Sequence, residues 1–357
     1  MKSPKVSVCI TTYNHERFIE EAVRSALEQK TDFPFEVVVG DDHSTDATPE
    51  ILLRLREEHP ERLRLIMRRK NIGSTPNFTD TYFACRGEYI ALLDGDDFWS
   101  CDDKLSRQVC FLDAHPDVVL CGHRVAFIYD DDETPENLRS FLGDVSPIQK
   151  AIGGLQDALE IPAYIPTRSR VFRRAALQSF PDWYYDVVLG DWAMLVLLAQ
   201  KGKLAMWDDV MAVQRIHRGG LWSGMPEEDQ VAQLLRSLRH YRRVLGKPYR
   251  RYINRRLGDC HLALARWRVR RGRRREAVGL VCRGFGLHLL SGSRPHGVRQ
   301  GLGTLAMALR PAPVVEPPDE KRDLTGGGQS GPPRAARTPA VLPDRSAGAG
   351  ARWESQE

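Results

Sequence analysis

The sequence predicts an α/β fold, in which helices flank a mostly parallel sheet on both sides. Short, continuously apolar segments, typical of strands covered on both faces, alternate with segments whose apolar residues recur at helical spacing. The connections are short, as expected for strand–helix–strand units with right-handed crossovers. Three of the apolar segments end in distinctive polar groups, which a doubly wound sheet would collect along one edge.

The first part of the chain supplies four such strands in succession. We predict them over residues 5–12, 35–39, 64–67 and 89–93. The helix after the first strand has an apolar face that consists of Phe18, Ile19, Ala22, Val23, Ala26 and Leu27. Each of the next two helices is predicted to begin at a Thr-Pro pair, in which threonine caps the helix and proline takes its first position. These pairs are Thr48-Pro49 and Thr75-Pro76.

An acidic cluster directly follows the fourth strand. Asp94, Asp96 and Asp97 stand within four positions, and Gly95 lets the backbone turn between them. Neighbouring carboxylates repel one another unless a positive charge balances them. A divalent cation that also binds a phosphorylated substrate is the natural occupant of such a cluster. The alternative is an acidic turn that only caps the next helix, near residues 101–104.

The second part of the chain is less regular. We predict a strand over 163–172, a helix that starts within 173–177, and a further helix that begins near Asp191. From residue 226 onwards the pattern is helical and rich in arginine, with a hairpin turn at residues 271–273.

Charge divides the 357-residue chain into three parts. The net charge is −12 over residues 1–230, +18 over 231–310 and −1 over 311–357. We therefore predict three parts: a first domain over 1–225, a basic helical extension over 226–310 and a disordered tail over 311–357. No signal peptide, membrane span or CxxC pair is visible among these residues, so we expect a cytoplasmic protein with reduced thiols.

Four ordered motifs carry a resemblance to a known family. Residues 6–14, 39–46, 87–90 and 94–97 resemble the family-2 type of inverting glycosyltransferases, and the likeness extends over roughly 6–222. It implies a Rossmann-like GT-A fold, with a mostly parallel central sheet flanked by helices and, here, a C-terminal helical extension. His43 departs from the family, which usually has glycine or asparagine at this position.

The resemblance implies a nucleotide site at the ends of the strands. Its residues would be Thr11, Tyr13, Asp42, Arg68 and Asp94. Tyr13 would stack on the base and Asp42 would accept a hydrogen bond from a pyrimidine. The structural alternatives are a packed turn aromatic for Tyr13, a helix-capping turn for Asp42 and a solvated basic surface for Arg68.

The resemblance also implies a metal site and a catalytic base. Asp94, Asp96, Asp97 and His217 would hold Mn²⁺ or Mg²⁺. Asp191 would be the general base, with Asp186 as the second choice. The alternatives are a helix cap for Asp191 and a structural role for His217. Arg215 and His217 form an Arg-x-His pair, which resembles a family motif that closes over the donor diphosphate.

The implied activity is the metal-dependent, inverting transfer of a sugar from a nucleoside-diphosphate donor, with a UDP-sugar favoured. The acceptor would be a saccharide or a lipid-linked molecule in polysaccharide or cell-envelope synthesis. The basic extension is expected to contact an anionic membrane at the inner face of the cell membrane, whereas no motif supports nucleic-acid binding. The sequence shows no oligomerisation signal. Two alternatives stay open, a sugar nucleotidyltransferase and a non-catalytic scaffold that retains the fold.

Overall fold

A computed structural model of the chain describes residues 3–129, 145–147, 150–161, 165–217, 219–222 and 224–292. The strands are β1 (Val6–Thr12), β2 (Phe35–Asp41), β3 (Leu63–Met67), β4 (Tyr89–Asp94), β5 (Phe98–Trp99), β6 (Val118–Tyr129), β7 (Ile152–Gly153), β8 (Val171–Arg173) and β9 (Lys203–Ile216). The helices are α1 (Ile19–Leu27), α2 (Thr48–Glu58), α3 (Ser74–Ala84), α4 (Lys104–Ala114), α5 (Leu155–Glu160), α6 (Gly190–Ala199), α7 (Glu227–Val244), α8 (Arg250–Arg270) and α9 (Arg274–Ser291). The tail predicted over 311–357 lies outside the described residues.

The strands form one mixed sheet. Its order among the described residues is β3-β2-β1-β4-β8-β6-β9-β5, with β7 paired to β9. The first four strands in this order are parallel, as the strand–helix alternation predicts, whereas β8 is antiparallel to both of its neighbours. The α/β fold class is thus confirmed, and antiparallel pairs enter the sheet in its second half.

Helices cover both faces of the sheet because side chains alternate along the strands. In β1, Val8 and Ile10 pack with α1, α2 and α4, whereas Cys9 points to the opposite face, towards α3 and α6. All six apolar residues predicted for the face of α1 are buried. This two-sided burial explains why the strands read as continuous apolar runs rather than as alternating ones.

Three local predictions need correction. Thr48 and Thr75 are helical residues whose side chains do not cap their helices, and the positions before these helices are Ala47 and Gly73. The strand predicted over 163–172 is limited to β8, which follows a 3₁₀ turn at Thr167–Ser169; residues 162–164 lie outside the described part. The helix predicted within 173–177 is only a 3₁₀ turn, Arg174–Ala176.

The C-terminal region is helical, as predicted, over α7, α8 and α9, and residues 293–310 of the predicted extension lie outside the described residues. Helices α8 and α9 form a hairpin whose turn includes Gly272 at φ 74°, a left-handed conformation that suits glycine. A small cluster of Leu262, Ala265, Ala277 and Val281 holds the two helices together. Among the described residues, no helix is long and apolar enough to cross a membrane.

Lys104, at the start of α4, is a buried cation beside the sheet. Its side chain is fully buried, and its ammonium group lies 4.1 Å from the centre of the Trp99 ring without a hydrogen-bond partner among the described residues. Burial lowers the pKa of Lys104 from 10.5 to about 7. The side chain of Lys104 keeps its proton up to about pH 10 in the unfolded chain, but only up to about pH 7 in the folded protein. The buried lysine therefore lowers the free energy of unfolding, most strongly below about pH 7 and less as the pH rises.

We therefore expect Lys104→Met to raise the free energy of unfolding by roughly 1–3 kcal/mol at pH 7, and by less at pH 9.5. Chemical denaturation at pH 6, 7, 8.5 and 9.5 measures this difference. Lys30→Met is the matched control, because the Lys30 side chain is largely exposed and pairs with Asp102 at the surface. A gain for Lys104→Met that does not depend on pH would contradict the explanation.

Candidate active site

The carboxyl ends of β1, β2 and β4 lie side by side and form the floor of the site. The parallel register pairs Thr11 with both Gly40 and Asp94. The backbone N–H of Gly95 donates to the carbonyl of Thr11 at 3.0 Å, and that of Asp42 donates to the carbonyl of Thr12 at 3.0 Å. The sheet therefore brings together the polar groups that follow three separate strands, as the sequence predicts.

Arg168 lies within the acidic cluster. Its guanidinium contacts Asp94 Oδ2 through Nη2 at 3.0 Å and Asp97 Oδ2 through Nε at 2.5 Å. The second contact is an ion pair rather than an aligned hydrogen bond. The third nitrogen, Nη1, donates to the side chain of Gln214 on β9. One arginine thus balances two of the three carboxylates.

The third carboxylate, Asp96, faces histidines instead. Its Oδ2 lies 3.1 Å from His217 Nε2 and 4.0 Å from His15 Nε2. The two imidazole rings meet edge to face, with their centres 6.3 Å apart, and Phe18 packs against both. Since β1 is followed by His15 and β9 by His217, this group joins distant parts of the chain.

Arg215 differs from the role that the resemblance implies. Its guanidinium packs between the rings of Phe18 and Phe98, pairs with Glu21 and donates to the backbone carbonyl of Asp96 at 2.8 Å. Its backbone N–H donates to Asp97 Oδ1 at 2.8 Å. In this conformation Arg215 fixes the acidic turn, and it does not extend over the site as a free phosphate contact.

The three carboxylates have different proton affinities. Burial raises the pKa of Asp97 well above its ordinary value, against the opposing charge of Arg168. Burial also raises the pKa of Asp94, where the nearby charges of Asp96 and Asp191 add to the effect and Arg168 opposes it. Burial acts on Asp96 in the same direction, but the His217 hydrogen bond and the charges of His15 and Arg168 keep its pKa below the ordinary value. Asp96 is therefore the member of the cluster that ionises most readily.

The predicted nucleotide residues lie on the β1–β2 side of the edge. Asp42 is buried, and its two oxygens accept the backbone N–H groups of Ile72 and Gly73 at 2.8 and 2.9 Å, directly before α3. Asp42 thus holds the loop before α3 and does not cap α2, the helix that follows it. The contact of Asp42 with a base stays a prediction. Tyr13 is 43% exposed, so its ring is accessible.

Arg68 is held against α3 rather than solvated. Its Nε donates to Asn77 Oδ1 at 3.2 Å, and Nη1 lies 3.1 Å from Asp80 Oδ2. Nη2 is buried without a hydrogen-bond partner among the described residues. Its backbone N–H donates to the carbonyl of Asp41 at 3.1 Å, which ties the arginine to the end of β2.

Asp191 begins α6 as an exposed residue beside the same edge. Its Oδ1 accepts the N–H of Trp192 at 2.7 Å, and Oδ2 lies 3.4 Å from Thr167 Oγ1. Buried Arg170 donates to the carbonyl oxygens of Asp191 and Ile165, which fixes the start of the helix. Asp186 is exposed in a 3₁₀ turn, and its charge acts on His240 of α7.

The residues present fit a divalent cation only in part. Asp96 and His217 offer one carboxylate oxygen and one imidazole nitrogen at a common point, a donor pair that suits Mn²⁺ better than Mg²⁺. Within the described ranges, no three or more His, Cys, Asp and Glu side chains are grouped as a complete metal site. A cation here would need further oxygen ligands from water or from a bound diphosphate.

Sequence reasoning missed Arg168, His15 and the structural role of Arg215. The acidic cluster itself signals that a cation lies nearby, but it does not say which of the many arginines supplies it. Arg168 is 74 positions from Asp94, in a segment predicted as a strand. His15 directly follows the first motif, after the end of β1. Because the acidic cluster follows the neighbouring strand β4, its position was the available signal that His15 could contact a carboxylate.

Comparison with known proteins identifies the family. Residues 7–180 match the model of the family described as Glycosyl transferase family 2. This segment is a family-2 glycosyltransferase domain. An uncharacterized protein of Mycobacterium tuberculosis is 40% identical over 219 residues, which cover 61% of this chain and 60% of that relative. A putative teichuronic acid biosynthesis glycosyltransferase of Bacillus subtilis is 36% identical over 109 residues, which cover 30% of this chain and 42% of that relative.

Among solved structures, the mannosyltransferase PcManGT from Pyrobaculum calidifontis, in complex with GDP-Man and Mn²⁺, has the same fold. The TM-score is 0.54 with 23% identity, and the match covers 86% of each chain. The predicted family is confirmed for residues 7–180, and the structural match confirms the predicted GT-A fold. The chain spans about 60% of the length of the relatives first matched, and the family model ends before Asp191 and His217.

Gly95 offers a test of how tightly the acidic turn packs. A Cβ at this position would lie 2.7 Å from both Cβ and Oγ1 of Thr12. We expect Gly95→Ala to lower the free energy of unfolding by roughly 1–3 kcal/mol, because the alanine would push the end of β1 from the turn. Thermal and chemical denaturation measure the change. Gly279→Ala, in α9 with no atom within 4 Å of the new Cβ, is the control and should stabilise the protein slightly. Equal effects of the two substitutions would contradict this packing argument.

Proposed function

We propose that the protein transfers a sugar from a nucleoside-diphosphate donor, with a UDP-sugar favoured, to a hydroxyl group of an acceptor, with inversion at the anomeric carbon. The arrangement of Asp94, Asp96 and His217 beside Asp191 carries this proposal. A donor diphosphate near the first group would place the sugar within reach of the base, because Asp191 Oδ2 lies 3.4 Å from Thr167 Oγ1, and the neighbouring Arg168 contacts Asp94 at 3.0 Å.

The reaction step would depend on Asp191. Its carboxylate is exposed, and the N–H of Trp192 holds it in position in the first turn of α6. An acceptor hydroxyl could therefore reach this carboxylate and transfer a proton to it. The oxygen of that hydroxyl attacks the anomeric carbon as the bond from this carbon to the diphosphate oxygen breaks. The nucleoside diphosphate leaves from the opposite face, which inverts the configuration. Asp186 is a weaker candidate, because its 3₁₀ turn packs against α7, where the rings of Trp183 and His240 stack with their centres 6.1 Å apart.

The donor would lie across the edge of the sheet. Tyr13 would stack on the base, Asp42 and Arg68 would lie around the base and phosphates, and Thr11 and Asp94 would contact the nucleoside. Asp96 and His217 would hold a bound Mn²⁺ or Mg²⁺, which neutralises the negative charge that grows on the departing diphosphate.

We further propose an acceptor that is a saccharide or a lipid-linked molecule of a cell-envelope polysaccharide. The name of the Bacillus subtilis relative supports this class. The arginine-rich region from 226 to 310 would act as a basic extension of a catalytic domain over 1–225. It would place the enzyme in the cytoplasm at the inner face of the membrane. Arg236, Arg239, Arg242 and Arg243 of α7 are exposed, which favours contact with anionic lipid.

A sugar nucleotidyltransferase is less consistent with the site. Such an enzyme would need a glycine-rich phosphate loop with a basic residue straight after the first strand, whereas β1 ends at Thr12 and is followed by Tyr13 and Asn14. A scaffold without activity is disfavoured by the intact carboxylates, and the two experiments below separate it from the enzyme.

A thermal-shift screen tests the donor site. UDP, GDP, dTDP and CDP are each added with and without Mn²⁺. We expect UDP with Mn²⁺ to raise the melting temperature most, since a ligand at about 100 times its Kd adds about 2.7 kcal/mol to the stability of the folded state. A folded sample that responds to none of the nucleotides would contradict the donor site, and a response to GDP alone would reassign the base.

Asp191→Asn tests the general base. The amide keeps the size of the side chain but accepts no proton, so we expect kcat to fall by about 10²–10⁴-fold with unchanged binding of the nucleotide. Transfer from a radiolabelled donor and calorimetric titration of the nucleotide measure the two quantities. Asp186→Asn is the matched variant, and we expect it to retain activity. The reverse pattern would assign the base to Asp186.

A further inference from the structure

We propose that Arg168 is a resident counter-ion of the acidic cluster, which withholds Asp97 and one oxygen of Asp94 from the divalent cation. The cation is then left with Asp96, His217 and one oxygen of Asp94 as protein ligands and binds together with the donor nucleotide. The inference rests on the proposed function for the identity of the nucleotide, but the position of Arg168 is independent of it.

The contacts of Arg168 define its role. Only 12% of its side chain is exposed, and all three guanidinium nitrogens face partners, namely Asp94, Asp97 and Gln214. Its backbone is fixed as well, because the indole N–H of Trp99 donates to the Arg168 carbonyl at 2.9 Å. The guanidinium is therefore held in the site by both its side-chain and its backbone contacts, and it is not a mobile surface group.

These contacts decide which oxygens remain for a ligand. Asp97 is only 2% exposed, and both of its oxygens have partners, Arg168 Nε and the backbone N–H of Arg215. Asp94 is 35% exposed and keeps one oxygen outside the ion pair. Asp96 directs Oδ2 at His217 and has no contact with Arg168. The sequence-based set of four ligands is thereby narrowed to Asp96, His217 and the second oxygen of Asp94.

A site with so few protein ligands, beside the fixed positive charge of Arg168, binds a hard cation weakly by itself. Mg²⁺ is usually bound through one or two carboxylates together with substrate phosphates, and the same logic applies to Mn²⁺ with an added imidazole. The positive charge of Arg168 lowers the attraction of the cluster for a free cation. The diphosphate supplies the missing oxygens, so the nucleotide and the cation strengthen each other's binding.

The experiment measures the binding of Mn²⁺ itself, by the electron paramagnetic resonance signal of the free ion, with and without UDP or GDP. The variants are Arg168→Gln, Arg168→Lys, and the double variant Arg168→Gln/Asp97→Asn, which removes the carboxylate that the first change leaves uncompensated. Arg86→Gln is the matched control, because Arg86 pairs with the buried carboxylate of Glu36 at the opposite end of the sheet. Circular dichroism establishes which variants are folded.

We expect the wild-type protein to bind Mn²⁺ alone with a Kd weaker than about 1 mM, and at least about tenfold more tightly with the nucleotide. Arg168→Gln and the double variant should bind Mn²⁺ alone at least about tenfold more tightly than the wild type, because the opposing positive charge is removed and the paired oxygen of Asp94 is released. Arg168→Lys keeps the charge, and Arg86→Gln leaves the site intact, so both should resemble the wild type.

Tight binding of Mn²⁺ alone by the wild-type protein would overturn the inference, and this measurement needs no variant. Unchanged Mn²⁺ binding in either folded glutamine variant would also overturn it. A different result bears on the proposed function only: if the glutamine variants gain Mn²⁺ binding while no nucleotide binds the wild type, the donor site is wrong and the role of Arg168 stands.

Discussion

Charge balance at the end of β4 is the constraint on which the site depends. Three carboxylates follow one buried strand, and their mutual repulsion would open the turn if nothing opposed it. Arg168 lies between Asp94 and Asp97 and balances both carboxylates, whereas imidazole rings lie beside Asp96. Arg215 completes the arrangement by fixing the turn through its backbone and its guanidinium. The cluster is thereby ordered before any ligand arrives, which is the condition for electrostatic stabilisation without a reorganisation cost.

The two halves of the sheet contribute different parts of the site. The parallel half, β3-β2-β1-β4, brings the nucleotide-side residues and the acidic turn to one edge through its register. The mixed half supplies side chains that lie beside this edge, namely Arg168 from the turn before β8, Asp191 at the start of α6 and His217 after β9. This division follows the general rule that the ends of parallel strands form the floor of a ligand site, whereas the surrounding segments carry the chemistry.

The sequence predicted the parallel half well because the signals there are local. Apolar runs such as 89–93 and the helical face of α1 report two-sided and one-sided burial directly. Prediction failed where tertiary contacts decide the structure. The segment that holds Arg168 is apolar enough to suggest a strand, yet Thr167–Ser169 forms a 3₁₀ turn whose arginine is drawn to carboxylates far away in the chain. The helix caps failed for a related reason, since Thr48 Oγ1 accepts the backbone N–H of His15 instead of an N–H of its own helix. The family resemblance implied a metal role for Asp96 and His217, which the structure brings together, but it did not indicate the arginine that lies against Asp94 and Asp97.

Strand β9 has a consequence for how the site comes into being during folding. His217 meets Asp96 across 121 positions, and Arg215 meets Glu21 across 194. Closing such long loops costs chain entropy that early, local contacts do not repay, so β9 is expected to join the sheet late. A nascent chain that ends before residue 203 would contain every motif of the parallel half, yet it would lack the strand that positions Gln214, Arg215 and His217. The acidic turn would then lack its contacts with Arg215 and His217 until synthesis has passed β9. The complete site therefore forms late in folding, and residues 7–180 alone do not contain it.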